Sequence, residues 1–302
     1  MKRGLYITLC VFAILCGTLP QNLHSLTVEI SGGLDSIAFN PESTEASGEV
    51  APVFESEMIP FGMFRLSGTH NDITYNLSLL REPILRNRVF IGAKVGNEYL
   101  TLEAGPMLAI VEAPEVTLKP GASGGIWLSY PGLLFVQATG SSTLEINPDI
   151  VGNFTQYNVD GGIGFWLPHI VASANIAMKN FTIRQESDFL TQDALLKYFF
   201  RGLIHTKNIP FTIQLDMGMA SLSRSYITQT GGDVGIESTS TNDVFTTMFA
   251  GIEVLLFLTP RFSVLFGVEM PLMSLDEEAF QIPEGLPPFR AWAGVSFSFG
   301  QL

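Results

Sequence analysis

After residue 16 the chain contains no cysteine: its two, Cys10 and Cys16, both lie near the N-terminus. A mature chain without them has no disulfides, which an exported soluble domain can otherwise use in an oxidising compartment. Charge is also scarce. Asp, Glu, Lys and Arg make up 15% of the residues, and their balance is −13, which argues against nucleic acid as a partner. The four histidines are His24, His70, His169 and His205. The last three fall in expected tight turns, and there is no H-E-x-x-H and no P-loop, so no metal, cofactor or catalytic centre is expected. GASGG (Gly121 to Gly125) matches G-x-S-x-G in letters only, because it opens a strand and not a strand-to-helix turn. The most informative absence is of long apolar runs. Hydrophobic residues reach 46% and mean hydropathy is +0.30, yet past residue 25 no run of about 18 apolar residues occurs, which excludes a transmembrane helix there.

What is present begins with MKR, a basic start, followed by the apolar run GLYITLCVFAILC and the small and polar residues GTLPQNLHS. This reads as a cleaved secretory signal peptide over residues 1–25, with Thr18 and Ser25 as the cleavage candidates. Leu15 before Cys16 argues against lipidation, which wants a small residue there. Residues 26–302 show no linker, repeat or composition break and read as one domain.

Through that domain the apolar residues alternate. FTIQLDMGM (Phe211 to Met219) keeps Phe, Ile, Leu, Met and Met on one parity, and FSVLFGVEM (Phe262 to Met270) keeps Phe, Val, Phe, Val and Met on one parity. The closing FRAWAGVSFSFGQL places Phe289, Ala291, Ala293, Val295, Phe297 and Phe299 on one face and Arg290, Trp292, Gly294, Ser296 and Ser298 on the other. Period 2 is the strand period. Candidate strands fall at about 26–39, 51–67, 73–81, 88–96, 99–111, 122–130, 133–146, 154–167, 170–184, 194–206, 210–223, 244–259, 262–274 and 289–300. That makes 14, with 12 as the alternative, each long enough to cross a bilayer when tilted; about 9–11 residues are needed. The second keeps no clean face, because Phe61, Met63, Phe64 and Leu66 mix parities. In the ninth the phase flips near Asn180, which suggests a β-bulge. Short connections (SGTHND, GNE, YPGL, LPHI, HTKNIP, TPR) alternate with seven longer ones, including LREPILRN, RQESDFLTQD and SRSYITQTGGDVGIESTSTND. Loops sorted this way fit an even-stranded, all-β, antiparallel up-and-down transmembrane barrel.

The signal, the strand–turn–strand–long-loop rhythm and the aromatic C-terminal strand together resemble bacterial outer-membrane β-barrel proteins of the porin-like kind. The resemblance implies residence in the bacterial outer membrane, lipid around the wall, and recognition of Val295, Phe297 and Phe299 by the barrel-assembly machinery. It departs from the family at the end, where Gly300, Gln301 and Leu302 follow the last Phe. With the apolar face on lipid, the inward set comprises Glu29, Asp35, Arg65, Lys94, Glu103, Asp160, Lys179, Lys197, Arg201, Asp216, Glu253, Glu269 and Arg290. These charges either brace the interior or line a conduit for small solutes. The rival readings are a closed barrel used as adhesin or anchor through acidic loops, a rim-active hydrolase, and a secreted β-sandwich. The segment from Ser225 to Asn242 is the expected plug. Tyr99, Tyr130, Tyr157, Tyr198 and Trp127 are expected in the interfacial aromatic girdles, with Trp166 and Trp292 facing inward. Glu42, Glu45, Glu49, Glu55, Glu57, Asp276, Glu277 and Glu278 give the long loops a solvated acidic surface.

Overall fold

The computed structural model describes residues 25–35, 38–39, 54–55, 58–111, 116–144, 152–186, 189–205, 210–232, 235–274 and 289–300. Their strands are β1 (Ser25–Asp35), β2 (Ala38–Phe39), β3 (Phe54–Glu55), β4 (Ile59–His70), β5 (Ile73–Glu82), β6 (Arg86–Gly96), β7 (Leu100–Val111), β8 (Thr117–Tyr130), β9 (Leu134–Thr143), β10 (Phe154–Trp166), β11 (Ile170–Glu186), β12 (Phe189–His205), β13 (Phe211–Gly232), β14 (Gly235–Thr259), β15 (Phe262–Ser274) and β16 (Arg290–Gly300). Apart from the small β2–β3 pair, each strand hydrogen-bonds to its neighbours in sequence, and β16 closes on β1. The wall is therefore a closed antiparallel barrel of 14 strands, the number the period-2 pattern predicts. Closure leaves no edge strand, so every backbone group of the wall can be paired without water.

The pairing register fixes the faces. Ile30 lies opposite Phe64 on one side and Val295 on the other, and all three point outward. Apolar side chains stand exposed around the wall: Leu102, Ile126, Ile163, Phe200, Met217, Phe266 and Phe299 all point out. An apolar band this continuous is out of place in water and suits hydrocarbon. Tyr99, Tyr130 and Tyr198 are exposed on this outer surface. Ile30 sits at the middle of an 11-residue strand and is half exposed. Ile30→Arg should therefore destabilise the refolded barrel by about 2–4 kcal/mol in lipid, read from urea unfolding in vesicles.

One end of the barrel carries tight turns. Between β4 and β5, Asn71 and Asp72 both take left-handed φ values of 48° and 63°. That is the signature of a type I′ hairpin, whose twist matches the strands it joins. The other end differs from the expectation of seven long loops. β11 and β12 run to Glu186 and from Phe189, and β13 and β14 run to Gly232 and from Gly235. Two of the seven are thus strand extensions, and a third, LREPILRN, shrinks to the turn Pro83–Leu85 between β5 and β6. The polar Ser and Thr of those stretches read as loop, although strands that rise past the membrane have no need of an apolar face. No register shift occurs at Asn180; the β11–β12 irregularity lies between Arg184 and Glu186.

Candidate functional site

The phase flip in β11 has another cause, which lies inside the barrel. Lys179 points inward, so Phe181 and Ile183 on the same parity do too. At the long-loop end the inward faces of β7 and β10–β14 turn apolar. Ala109, Val111, Phe154, Phe181, Leu195, Ala220, Leu222, Phe245 and Phe249 are buried in one cluster, with Phe199 packed against it. Phe154 and Phe181 stack at 5.7 Å, and Phe199 and Phe249 meet at 6.1 Å. The tip of the β5–β6 turn completes this cluster: Leu85 is fully buried and Ile84 nearly so. Pro83 pre-sets the first corner of the turn. Arg86 closes it at φ 59°, a conformation that a residue with a Cβ resists. The turn thus crosses the lumen and seals it with hydrocarbon. A cavity of about 70 Å³ remains beside Ile84, lined among others by Lys197, Phe249 and Arg290.

Charges brace this seal from all sides. Glu82, the residue before the turn, pairs with Arg88 at 2.9 Å and Lys179 at 3.0 Å. Arg88 also donates to Asn158 at 2.8 Å and Ser141 at 3.2 Å, which ties β6 to β9 and β10 across the interior. Asp193 and Arg224 form a buried two-pronged pair at 2.6 and 2.8 Å. Lys197 bonds Glu269 and lies over the Phe249 ring at 4.5 Å. Arg290 lies over Phe61 at 4.3 Å and 4.0 Å from Asp35. For Glu82, Asp193 and Lys197 the cost of leaving water is recovered by partners within bonding distance, whereas Arg290 is held by aromatic rings and a carboxylate 4.0 Å away.

The rest of the interior is of another kind. A cavity of about 540 Å³ is lined by polar side chains of β1 and β4–β10, among them Glu29, Arg65, Asn76, Lys94, Glu103 and Trp127. Glu29 and Arg65 pair at 3.3 Å with both side chains partly exposed. Glu103 accepts from Asn76 at 2.7 Å, and Lys94 lies over Trp127 at 4.5 Å. On the other wall Arg201 grips Asp216 at 2.9 and 2.8 Å, and Glu253 accepts the Trp292 indole N–H at 2.8 Å. The Trp292 ring lies flat over Gly267, where any Cβ would fall inside the indole. Asp160 accepts from Asn158 at 3.1 Å.

The register therefore places all thirteen charges named from the sequence on the inward face, but in different neighbourhoods. Glu29, Arg65, Lys94 and Glu103 line the polar chamber, while Asp35, Lys179, Lys197, Glu269 and Arg290 surround the seal. Val295, Phe297 and Phe299 face outward along the β16–β1 seam, with Phe262 and Phe297 stacked at 4.5 Å. Two expectations need correction. Trp127 is no girdle residue, since it lines the lumen beside Gly125. The stretch from Ser225 to Asn242 is no inward plug, since its backbone pairs strand to strand up to Gly232 opposite Gly235. The β5–β6 turn takes that place.

Sequence reasoning missed Glu82, Arg88, Lys119, Asp193 and Arg224, all inward. Most had been counted into loops. Parity was the available signal: Glu82 continues the register of Asn76 and Ser78, and Asp193 that of Lys197 and Arg201. Ser123 is a wall residue whose hydroxyl donates to the Gly140 carbonyl at 3.2 Å. His70 and His205 end strands at the turn end, where the His205 N–H donates to the His169 carbonyl at 3.0 Å. Among the described residues no cluster of His, Cys, Asp and Glu could hold a metal. Residues 1–24 and the acidic Glu42, Glu45, Glu49, Glu57, Asp276, Glu277 and Glu278 lie outside the described residues.

No family model and no curated protein matches the chain. Solved barrels do resemble it in outline. A loop-deletion mutant of OmpT, an outer membrane protein of Vibrio cholerae, aligns with TM-score 0.40 and 8% identity over 91% of this chain and 100% of its own. The CymD monoaromatic hydrocarbon channel aligns with TM-score 0.39 and 8% identity over 93% and 90%. The outer membrane channel DcaP of Acinetobacter baumannii gives 0.37 and 10% over 92% and 96%. These likenesses are of general shape, and the reading of the site stands on the wall and lumen of this chain.

Proposed function

We propose that this protein is an outer-membrane channel for small solutes, exported by its N-terminal signal and shut at rest by the Ile84–Leu85 seal. One observation carries the reading: the lumen is divided. A polar chamber of about 540 Å³ runs up to an apolar barrier whose centre is a turn tip, not a wall residue. A barrel selected only for rigidity gains nothing from an unfilled polar chamber, because packed interiors are more stable than hollow ones. A short apolar constriction, by contrast, is a recognised way to stop ions, since water retreats from it. Opening needs only the tip to withdraw from Phe154, Leu222 and Phe245. The surrounding lipid takes the outward band, and Val295, Phe297 and Phe299 at the seam serve as the segment read by the assembly machinery.

Proteoliposomes holding the refolded protein provide the test. Swelling in isotonic arabinose should exceed that of empty vesicles and rise further once the seal is weakened. Absence of uptake in both the native and weakened proteins would retire the channel reading. The occlusion itself favours the second reading, a closed barrel acting as adhesin or anchor through its long-loop end, and that reading would then lead.

A further inference from the structure

One hydroxyl that borders the polar chamber is buried and has no partner. Ser78 is only 4% exposed, and its side chain bonds no other group among the described residues. A hydroxyl held this way costs stability unless a partner reaches it from the chamber. Its neighbours are set by register: Glu29, Arg65, Ser78 and Phe90 form one row on β1, β4, β5 and β6, each opposite the next. All four line the chamber, and the strands that carry them are about 5 Å apart. Lys94 and Glu103 are level with Thr74, four residues further along β5, and stand outside this row. Arg88 borders the chamber too, but Glu82, Asn158 and Ser141 occupy both its terminal nitrogens.

Within the row, Glu29 and Arg65 cancel in charge, and their side chains are 34% and 45% exposed. A single contact joins them, Nη1 to Oε2 at 3.3 Å, which leaves Oε1 and the other guanidinium N–H groups to meet a ligand. The Phe90 ring folds against the wall over Gly92, where a Cβ would come within 2.2 Å of it. An anion drawn to Arg65 meets Glu29 beside it, and a cation drawn to Glu29 meets Arg65. A purely apolar solute would cover the ring but leave the hydroxyl and the ion pair unbonded. A neutral solute with several hydroxyls and an apolar face suits every member of the row. We propose that the row binds the ring of a small neutral sugar. Arg65 donates to one hydroxyl and Glu29 accepts from the next, Ser78 bonds a third, and Phe90 carries the C–H face. The chamber, at about 540 Å³, is of the usual size for such a ligand. The proposal takes its purpose from the channel reading, as a resting point along the path, but the binding itself needs no conduction.

Saturation-transfer NMR on the refolded full-length barrel, in a detergent without sugar groups, tests this with D-glucose, acetate and methylammonium. D-glucose should give a saturable signal, with acetate and methylammonium each weaker by about tenfold or more. Phe90→Leu and Arg65→Gln should each weaken D-glucose by about tenfold. Lys94→Gln, outside the row, should leave it unchanged, and all three should keep heat-modifiable gel migration. If either row variant fails to refold, Ser78→Ala, which removes one oxygen, carries the same test with a loss of about threefold. A D-glucose signal that survives the row variants would overturn the site. Acetate or methylammonium binding as tightly as D-glucose would overturn the neutral ligand, and no saturable D-glucose signal would overturn the proposal outright. Uptake into vesicles without sugar binding defeats this proposal alone, and sugar binding without uptake defeats the channel reading alone.

Discussion

Replacing Ile84 and Leu85 together by serine should convert a mostly silent barrel into one that conducts for most of the time in a planar bilayer. The argument rests on where the two side chains go. Leu85 is fully buried and Ile84 is 8% exposed, within a cluster drawn from β7 and β10–β14. When the turn withdraws, both enter water, so the closed state owes its preference largely to their burial. Truncating a buried Leu or Ile costs about 2–5 kcal/mol, and each 1.4 kcal/mol is tenfold in an equilibrium. One side chain alone should therefore raise the open-to-closed ratio by about 10²-fold, and the pair by more. The wall does not depend on the turn, since 14 strands close without it, so heat-modifiable migration should be retained. A double variant that folds and stays as silent as the parent would mean that the wall residues alone close the lumen.

The second large effect lies in stability. Arg224→Ala should destabilise the barrel by about 3–5 kcal/mol, because it strands a buried carboxylate that had accepted two hydrogen bonds from it. Arg224 donates to both oxygens of Asp193 at 2.6 and 2.8 Å, and the two side chains are only 4% and 5% exposed. The double variant Asp193→Leu with Arg224→Met should recover most of the loss, since a buried pair swapped for hydrocarbon of similar volume is often neutral. Urea unfolding of the refolded protein checks both. If the single variant costs less than about 1 kcal/mol, water reaches the pair and the long-loop end is looser than its packing implies. The same result would weaken the case for a seal, because the pair lies on the strands that carry Leu195 and Leu222.

Much of the wall was legible because a strand has one period and two faces. Phe211 to Met219 and Phe262 to Met270 each declare their outward side without reference to any other segment. The thirteen charges followed by exclusion, since lipid tolerates none of them well. Loop composition misled where strands rise past the membrane. In RQESDFLTQD and SRSYITQTGG the Ser, Thr and Gln residues look like turn chemistry, yet β11–β14 continue through them, and with them go Asp193 and Arg224. The mixed parities of β4 and the phase flip in β11 looked like noise or a bulge. They are inward residues: Phe181 and Ile183 meet an interior that is itself apolar at one end, and the Phe61 ring lies under Arg290.

The sequence by itself determined that this chain is an all-β barrel and, for the strands that alternate cleanly, which side faces out, because alternation is a local property that such a segment carries alone. Only the tertiary structure decided what fills the lumen. Ile84 and Leu85 lie far along the chain from Phe154, Leu222 and Phe245, and they share one buried cluster only because the wall closes into a ring. Parity tells a side chain to point inward; it says nothing of what stands on the other side.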